Sequence, residues 1–147
     1  METMTSCPTS IREARERAGL PPEEAARRMC ISRSLLRSLE SNDDELTALH
    51  SPADVQRFCH VLGVRPAELL DVKCQGKPLT PEDIAAKIFD HCRKKGVDIS
   101  QFEDTVGWCV TRSLEKPRRF LQDYSLDALR DICRELNLEW ERLVAGL

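Results

Sequence analysis

The sequence predicts an all-α protein built from two tandem copies of one five-helix unit. Met29-Cys30-Ile31-Ser32-Arg33-Ser34-Leu35 returns 79 residues later as Trp108-Cys109-Val110-Thr111-Arg112-Ser113-Leu114, with four of seven pairs identical. Apolar residues elsewhere recur at helical spacing, between polar caps and terminal glycines. Further pieces realign at nearby offsets: Ile11 and Gly19 with Ile88 and Gly96 at 77, Phe58-Cys59-x-x-Leu62 with Ile132-Cys133-x-x-Leu136 at 74. Offsets that drift only between helices are what loop insertions in a duplicated unit would produce.

The first helix is expected from about Pro8 to Ala18, with Ile11, Ala14 and Ala18 on its inner face and Gly19 as its stop. Pro21-Pro22-Glu23-Glu24 opens the second, because a first-turn proline lacks only an unused N–H and acids suit the helix dipole. That helix ends near Met29. Ser32 caps the third, whose Leu35, Leu36 and Leu39 turn inward and leave Arg33, Ser34 and Arg37 outward. Ser41 to Ser51 reads as a polar loop. Ser51-Pro52-Ala53-Asp54 starts the fourth helix, with Val55, Phe58, Cys59 and Leu62 inside, and Pro66 to Leu70 makes a short fifth.

Asp71 to Leu79, with Gly76 and Pro78, reads as linker. Thr80-Pro81-Glu82-Asp83 then opens a helix whose stripe is Ile84, Ile88 and His91 or Cys92, ending at Gly96. Ser100-Gln101-Phe102-Glu103 has the pattern of a capping box. Thr111 caps the next helix, which Pro117 ends or kinks after about five residues. Ser125 starts a helix that buries Leu126, Leu129, Ile132, Cys133 and Leu136, and Leu138 to Val144 closes the chain. The expected division is 8–70, a linker at 71–80, and 81–145. A linker of about ten residues reaches roughly 33 Å when extended. That approaches the roughly 34 Å between half-sites one helical turn apart, provided the units stay separate.

Charged residues are 32% and aromatics 5%, which suits short helices with wet outer faces. Nothing approaches the roughly 18 apolar residues of a bilayer span, and Met1 to Ser10 has no apolar run of a signal peptide. No membrane association and a cytoplasmic location are therefore expected. The seven cysteines are odd in number, widely spaced and without Cys-x-x-Cys, so neither a disulfide framework nor a zinc site is expected. Cys30, Cys109, Cys59 and Cys133 read as small core residues, and Trp108 and Trp140 as anchors in the core or between the copies. No metal ligand set, phosphate loop or catalytic constellation stands out, so no cofactor and no enzyme activity are expected.

Net charge is −3, an acidic balance for a nucleic-acid binder. Its distribution is uneven. Residues 10–40 carry seven Arg against five Glu and residues 84–120 eight basic against five acidic, while 41–83 and 121–147 run four against eight and three against six. Each copy is basic in its first half, and the local field rather than the net charge steers a duplex.

Ile11-Arg12-Glu13-Ala14-Arg15 through Gly19-Leu20, Glu23-Glu24-Ala25-Ala26, Ile31 to Glu40 and Leu62-Gly63-Val64-x-Pro66-x-Glu68-Leu69 together resemble the XRE/Cro-type repressor domain over residues 8–70. Residues 84–144 resemble it more weakly. The resemblance implies two repressor-like helix-turn-helix units and double-stranded DNA as partner, read in the major groove by the third helix. It implies contacts from Ser32, Arg33, Ser34 and Arg37, and in the second copy from Ser100, Gln101, Thr111, Arg112, Ser113 and Lys116, with Arg118 and Arg119 just beyond. Arginine suits that role because its fork pairs bidentately with guanine or phosphate. The chain departs from the family at Pro21-Pro22, where Ser-Gln is usual, at Cys30, where a turn glycine is usual, and at Pro117. Arg-Glu-Ala-Arg-Glu-Arg and the acidic Glu40 to Asp44 loop are also similar to RodZ-type helix-turn-helix domains, which bind a protein instead of DNA. A protein-interaction module and a homodimer therefore stand as alternatives.

Overall fold

Five helix starts follow the capping chemistry of the sequence in the computed structural model, which describes residues 10–42, 45–73 and 76–147. The first half runs α1 (Ile11–Arg17), α2 (Pro22–Met29), α3 (Arg33–Ser41), α4 (Glu45–Leu49), α5 (Pro52–Leu62) and α6 (Pro66–Leu70). The second runs α7 (Pro81–Lys95), α8 (Ile99–Val106), α9 (Thr111–Glu115), a 3-10 turn (Pro117–Leu121), α10 (Leu126–Glu135) and α11 (Glu141–Ala145). The chain is all-α, with no strand among the described residues. Ser10, Ser32, Ser51, Thr80 and Ser125 each accept a hydrogen bond from the backbone N–H three residues on, the N-cap bond of a helix start. Residues 8 and 9, within the span expected for the first helix, lie outside the described residues, as do Asp43, Asp44, Cys74 and Gln75.

Four expectations need correction. The stretch expected as a loop from Ser41 to Ser51 holds α4, because Leu46 has a core to enter and is buried. Ala18 is exposed as the C-cap of α1. The capping box of α8 opens at Asp98, which exchanges bonds with Gln101; Ser100 therefore lies inside the helix. Trp108, Cys30 and Cys109 lie outside the core, since the turns that carry them face solvent. Cys59 and Cys133 are buried as expected, and burial pushes each thiol up to about 12.

The halves repeat at the level of the backbone. Left-handed residues end corresponding helices at Gly19 and Gly96 (φ +71° and +67°), at Cys30 and Gly107 (+60° and +82°), and at Gly63 and Asn137 (+69° and +57°). Cys30 adopts this conformation against the steric cost that a Cβ brings there, which is why glycine is the usual occupant. Each half has six short elements in the same order, with the 3-10 turn standing where α4 stands in the first.

Two apolar cores result, and they touch. Ile11, Met29, Leu36, Phe58 and Leu62 centre the first; Ile84, Ile88, Phe102, Phe120 and Ile132 centre the second. Leu126, from α10 of the second half, is fully buried in the first core, and Trp140 packs against both. The Leu126 N–H donates to the His50 carbonyl at 3.1 Å, and α4 packs on α10 and α6 on α11. The second part of the linker is also held: Leu79 is buried and its N–H donates to the Arg142 carbonyl at 2.9 Å. Packing therefore sets the spacing of the halves, and the extended reach of the linker does not.

Leu126→Ala is accordingly expected to destabilise the whole chain by about 3 kcal/mol and to leave a single urea transition. A loss below about 1 kcal/mol, or two separated transitions, would show that the halves fold independently.

Candidate nucleic-acid interface

The surface around α3 is fixed from three sides. Leu36 and Leu39 enter the core, so the helix presents Arg33, Ser34 and Arg37 to solvent. From α1, Arg15 grips the last turn: its Nε and a terminal nitrogen donate to the two oxygens of Glu40 at 2.6 and 3.3 Å, and Nη1 donates to the Leu20 carbonyl at 3.0 Å. The Arg15 and Glu40 side chains are only 11% and 9% exposed. The hydrogen bond to Glu40 raises the Arg15 pKa above its ordinary value. From α5, Arg57 Nε donates to the Met29 carbonyl at 2.8 Å, tying down the turn between α2 and α3. This turn, Cys30 to Ser32, is short, and the Cys30 conformation closes it.

Arg12, Arg33 and Arg37 line a groove of about 440 Å³ with Pro22, Leu36 and Glu40. The cations are not equal. Arg12 lies 3.5 Å from Glu40, and Arg33 pairs with Glu23 at 3.0 Å, whereas Arg37 has no ion-pair partner among the described residues. The Arg33 and Glu23 side chains are 55% and 75% exposed. A pair that open to water contributes roughly 0 to 1 kcal/mol, so a phosphate can replace the carboxylate at small cost. Further along α2, Glu24 engages both Arg27 and Arg28, which hold its carboxyl below the usual range. α2 begins with Pro21 and Pro22, so its entry offers fewer N–H donors than a polar start would.

The second half builds the corresponding region differently. Its turn, Gly107 to Val110, is one residue longer, so Thr111 becomes the first residue of α9 and is not its cap. Glu103 of α8 caps the helix in its place. The Glu103 carboxylate accepts from the Val110 N–H at 2.6 Å and from the Thr111 N–H and hydroxyl at 3.1 Å each. Ser113, expected among the DNA contacts, is 1% exposed and donates to the Tyr124 hydroxyl at 3.0 Å, which in turn donates to the Cys109 carbonyl. It is out of reach of a duplex. Arg112 and Lys116 are exposed, as are Ser100 and Gln101, although Gln101 is engaged in the capping box. Glu103→Ala should cost about 2 kcal/mol in urea denaturation, because three donors lose a shared acceptor; Glu103→Gln should recover part of it. Equal stability of Glu103→Ala and the parent would contradict this role.

Residues 10–72 match the family described as a helix-turn-helix domain. The first half is thus similar to a helix-turn-helix domain. That match covers the α2–turn–α3 pair and the helices that brace it, and makes DNA binding the general expectation for this half. No curated protein and no solved structure matches the chain. Among the described residues, no group of three or more His, Cys, Asp or Glu could hold a metal, and no helix is long and apolar enough to cross a membrane. Sequence reasoning missed three supports of the helix-turn-helix region: Arg15 with Glu40, Arg57 at the turn, and Arg12 beside the groove. The first had a signal in the sequence, since residues 15 and 40 are the oppositely charged ends of two helices that must meet.

Proposed function

We propose that the protein is a transcriptional regulator that binds duplex DNA by laying α3 of its helix-turn-helix domain in the major groove. In this reading Arg37 is the principal contact, Arg33 joins it on release from Glu23, and Ser34 lies between them. Ser32, at the N-terminal end of α3, is beside a phosphate. The single observation that carries the reading is the outward face of α3, where Arg37 has no ion-pair partner among the described residues on a helix braced from α1 and α5. An unpaired, pre-positioned guanidinium loses little on meeting guanine or phosphate.

We read 8–70 and 81–145 as two copies of one unit joined by 71–80, a reading supported by the three recurring left-handed positions. The second copy is degenerate and does not act as an equal reader. Retention of the full chain on mixed-sequence duplex at low salt, lost as salt rises, tests the function. No retention at any salt would remove it.

A second reading, a protein-interaction module on the same fold, is favoured by one feature. Residues 10–72 hold nine basic against eleven acidic residues, with Glu23 and Glu24 at the entry of α2. Capture of a single protein by the chain, insensitive to Arg37→Ala, would favour it.

A further inference from the structure

We infer that the bend between α9 and the 3-10 turn is a sequence-independent clamp for the phosphate backbone of a DNA duplex. Lys116, Arg118 and Arg119 converge with Gln122 on one groove of about 540 Å³, in which Glu82 is the single acid. Arg119 shares its charge with Asp123 at 3.1 Å, whereas Lys116, Arg118 and the nearby Arg112 have no ion-pair partner among the described residues. On a chain of net charge −3, residues 112–118 hold three cations without an ion-pair partner among the described residues against one acid, Glu115, and so form a local positive field.

The bend is rigid. Pro117 fixes the backbone where α9 ends, and Phe120 is fully buried, stacked on Tyr124 with ring centres 5.6 Å apart. Tyr124 is held in turn by Ser113 and the Cys109 carbonyl. The cations are thus carried on a fixed support, so little ordering is lost on binding.

The occupant follows from how the charges are arranged. The groove is open and no buried polar side chain closes it, so a single small anion would remain in water and be held weakly. A polyanion differs, because each neutralised phosphate releases counterions and the contacts accumulate along the strand. Base reading is excluded at this place, since α9 is five residues long, Ser113 points inward and Thr111 is bound to Glu103. The clamp rests on the reading of the chain as a DNA binder and adds a contact that carries no sequence information.

The test is a fluorescence-anisotropy titration of the full chain with a labelled mixed-sequence duplex, repeated across salt concentrations. Lys116→Ala/Arg118→Ala should flatten the slope of log affinity against log salt by about 2, so that the affinity ratio between about 50 and 200 mM salt falls by about tenfold. Lys116→Arg/Arg118→Lys, which keeps both charges, should keep the slope. An unchanged slope in the alanine variant, with Arg37→Ala still weakening binding, overturns the clamp and leaves the DNA reading intact. Absence of duplex binding in the parent overturns both. Loss of affinity for polyglutamate but not for duplex assigns the groove to an acidic protein segment. Abolition of the variant's effect by inorganic phosphate at equal ionic strength assigns it to a small anion. Either result overturns the clamp.

Discussion

Glu40→Ala is expected to lose about 3 kcal/mol of folding stability, the largest effect of any charged residue in the first half, because breaking a buried ion pair leaves the partner charge uncompensated. The environment of Arg15 makes the difference. Its guanidinium is 11% exposed and keeps only the Leu20 carbonyl once the carboxylate is gone. Arg12 contributes little to this loss, since its side chain is 56% exposed and reaches Glu40 only at 3.5 Å. Glu23→Ala provides the contrast. Its pair with Arg33 is open to water on both sides, so it should change stability by less than about 1 kcal/mol. Urea denaturation of the two variants side by side checks the ordering. Equal losses would mean that the Arg15–Glu40 contact is solvated and does not brace α3.

Arg37→Ala is expected to weaken binding to a selected duplex by between about tenfold and a hundredfold, the range a bidentate contact to a base commands. Its stability should be unchanged within about 0.5 kcal/mol, as for other exposed positions away from special contacts. Arg33→Ala should cost less, because Arg33 must first leave Glu23. The sharper consequence concerns Glu23 itself. Glu23→Gln frees Arg33 and removes a negative charge beside the approaching phosphates, so it should tighten duplex binding where a protein-interaction face would show no such gain. Anisotropy titrations of the three variants at one salt concentration give the order: Glu23→Gln tightest, then parent, Arg33→Ala and Arg37→Ala.

Local rules account for much of what the sequence reveals and for what it hides. Ser32, Ser51, Thr80 and Ser125 are legible as caps because a cap is a contact between residues three apart. Gly19, Gly63 and Gly96 are legible as stops for the same reason. The outward face of α3 follows from Leu36 and Leu39 alone. Thr111 misleads because the extra residue in its turn moves it one place into α9, and Glu103, eight residues upstream, supplies the capping acceptor. Ser113 misleads likewise: its counterpart Ser34 is exposed, and only the position of Tyr124 turns residue 113 inward. α4 has the sequence of a loop because its one buried residue, Leu46, enters a core whose lining includes Leu126 of α10 from the other half. The misses at Ser113 and α4 thus share a cause, which is contact with segments beyond the local helix and turn, whereas the capping box at Asp98 and Gln101 is local and the sequence pattern places it at the wrong residue. The candidate site is legible in its exposed cations, while of the acids that neutralise or brace them only Glu40 has a signal in the sequence.

Selection of duplexes from a random-sequence pool by the full chain, followed by rebinding of the enriched duplex to Arg37→Ala, tests most directly whether α3 reads DNA. The prediction is enrichment of a short common sequence, with Arg37→Ala retaining salt-sensitive binding but losing most of its preference for that sequence over random duplex. Enrichment that Arg37→Ala preserves in full, or a pool that never departs from random, would contradict a reading role for α3.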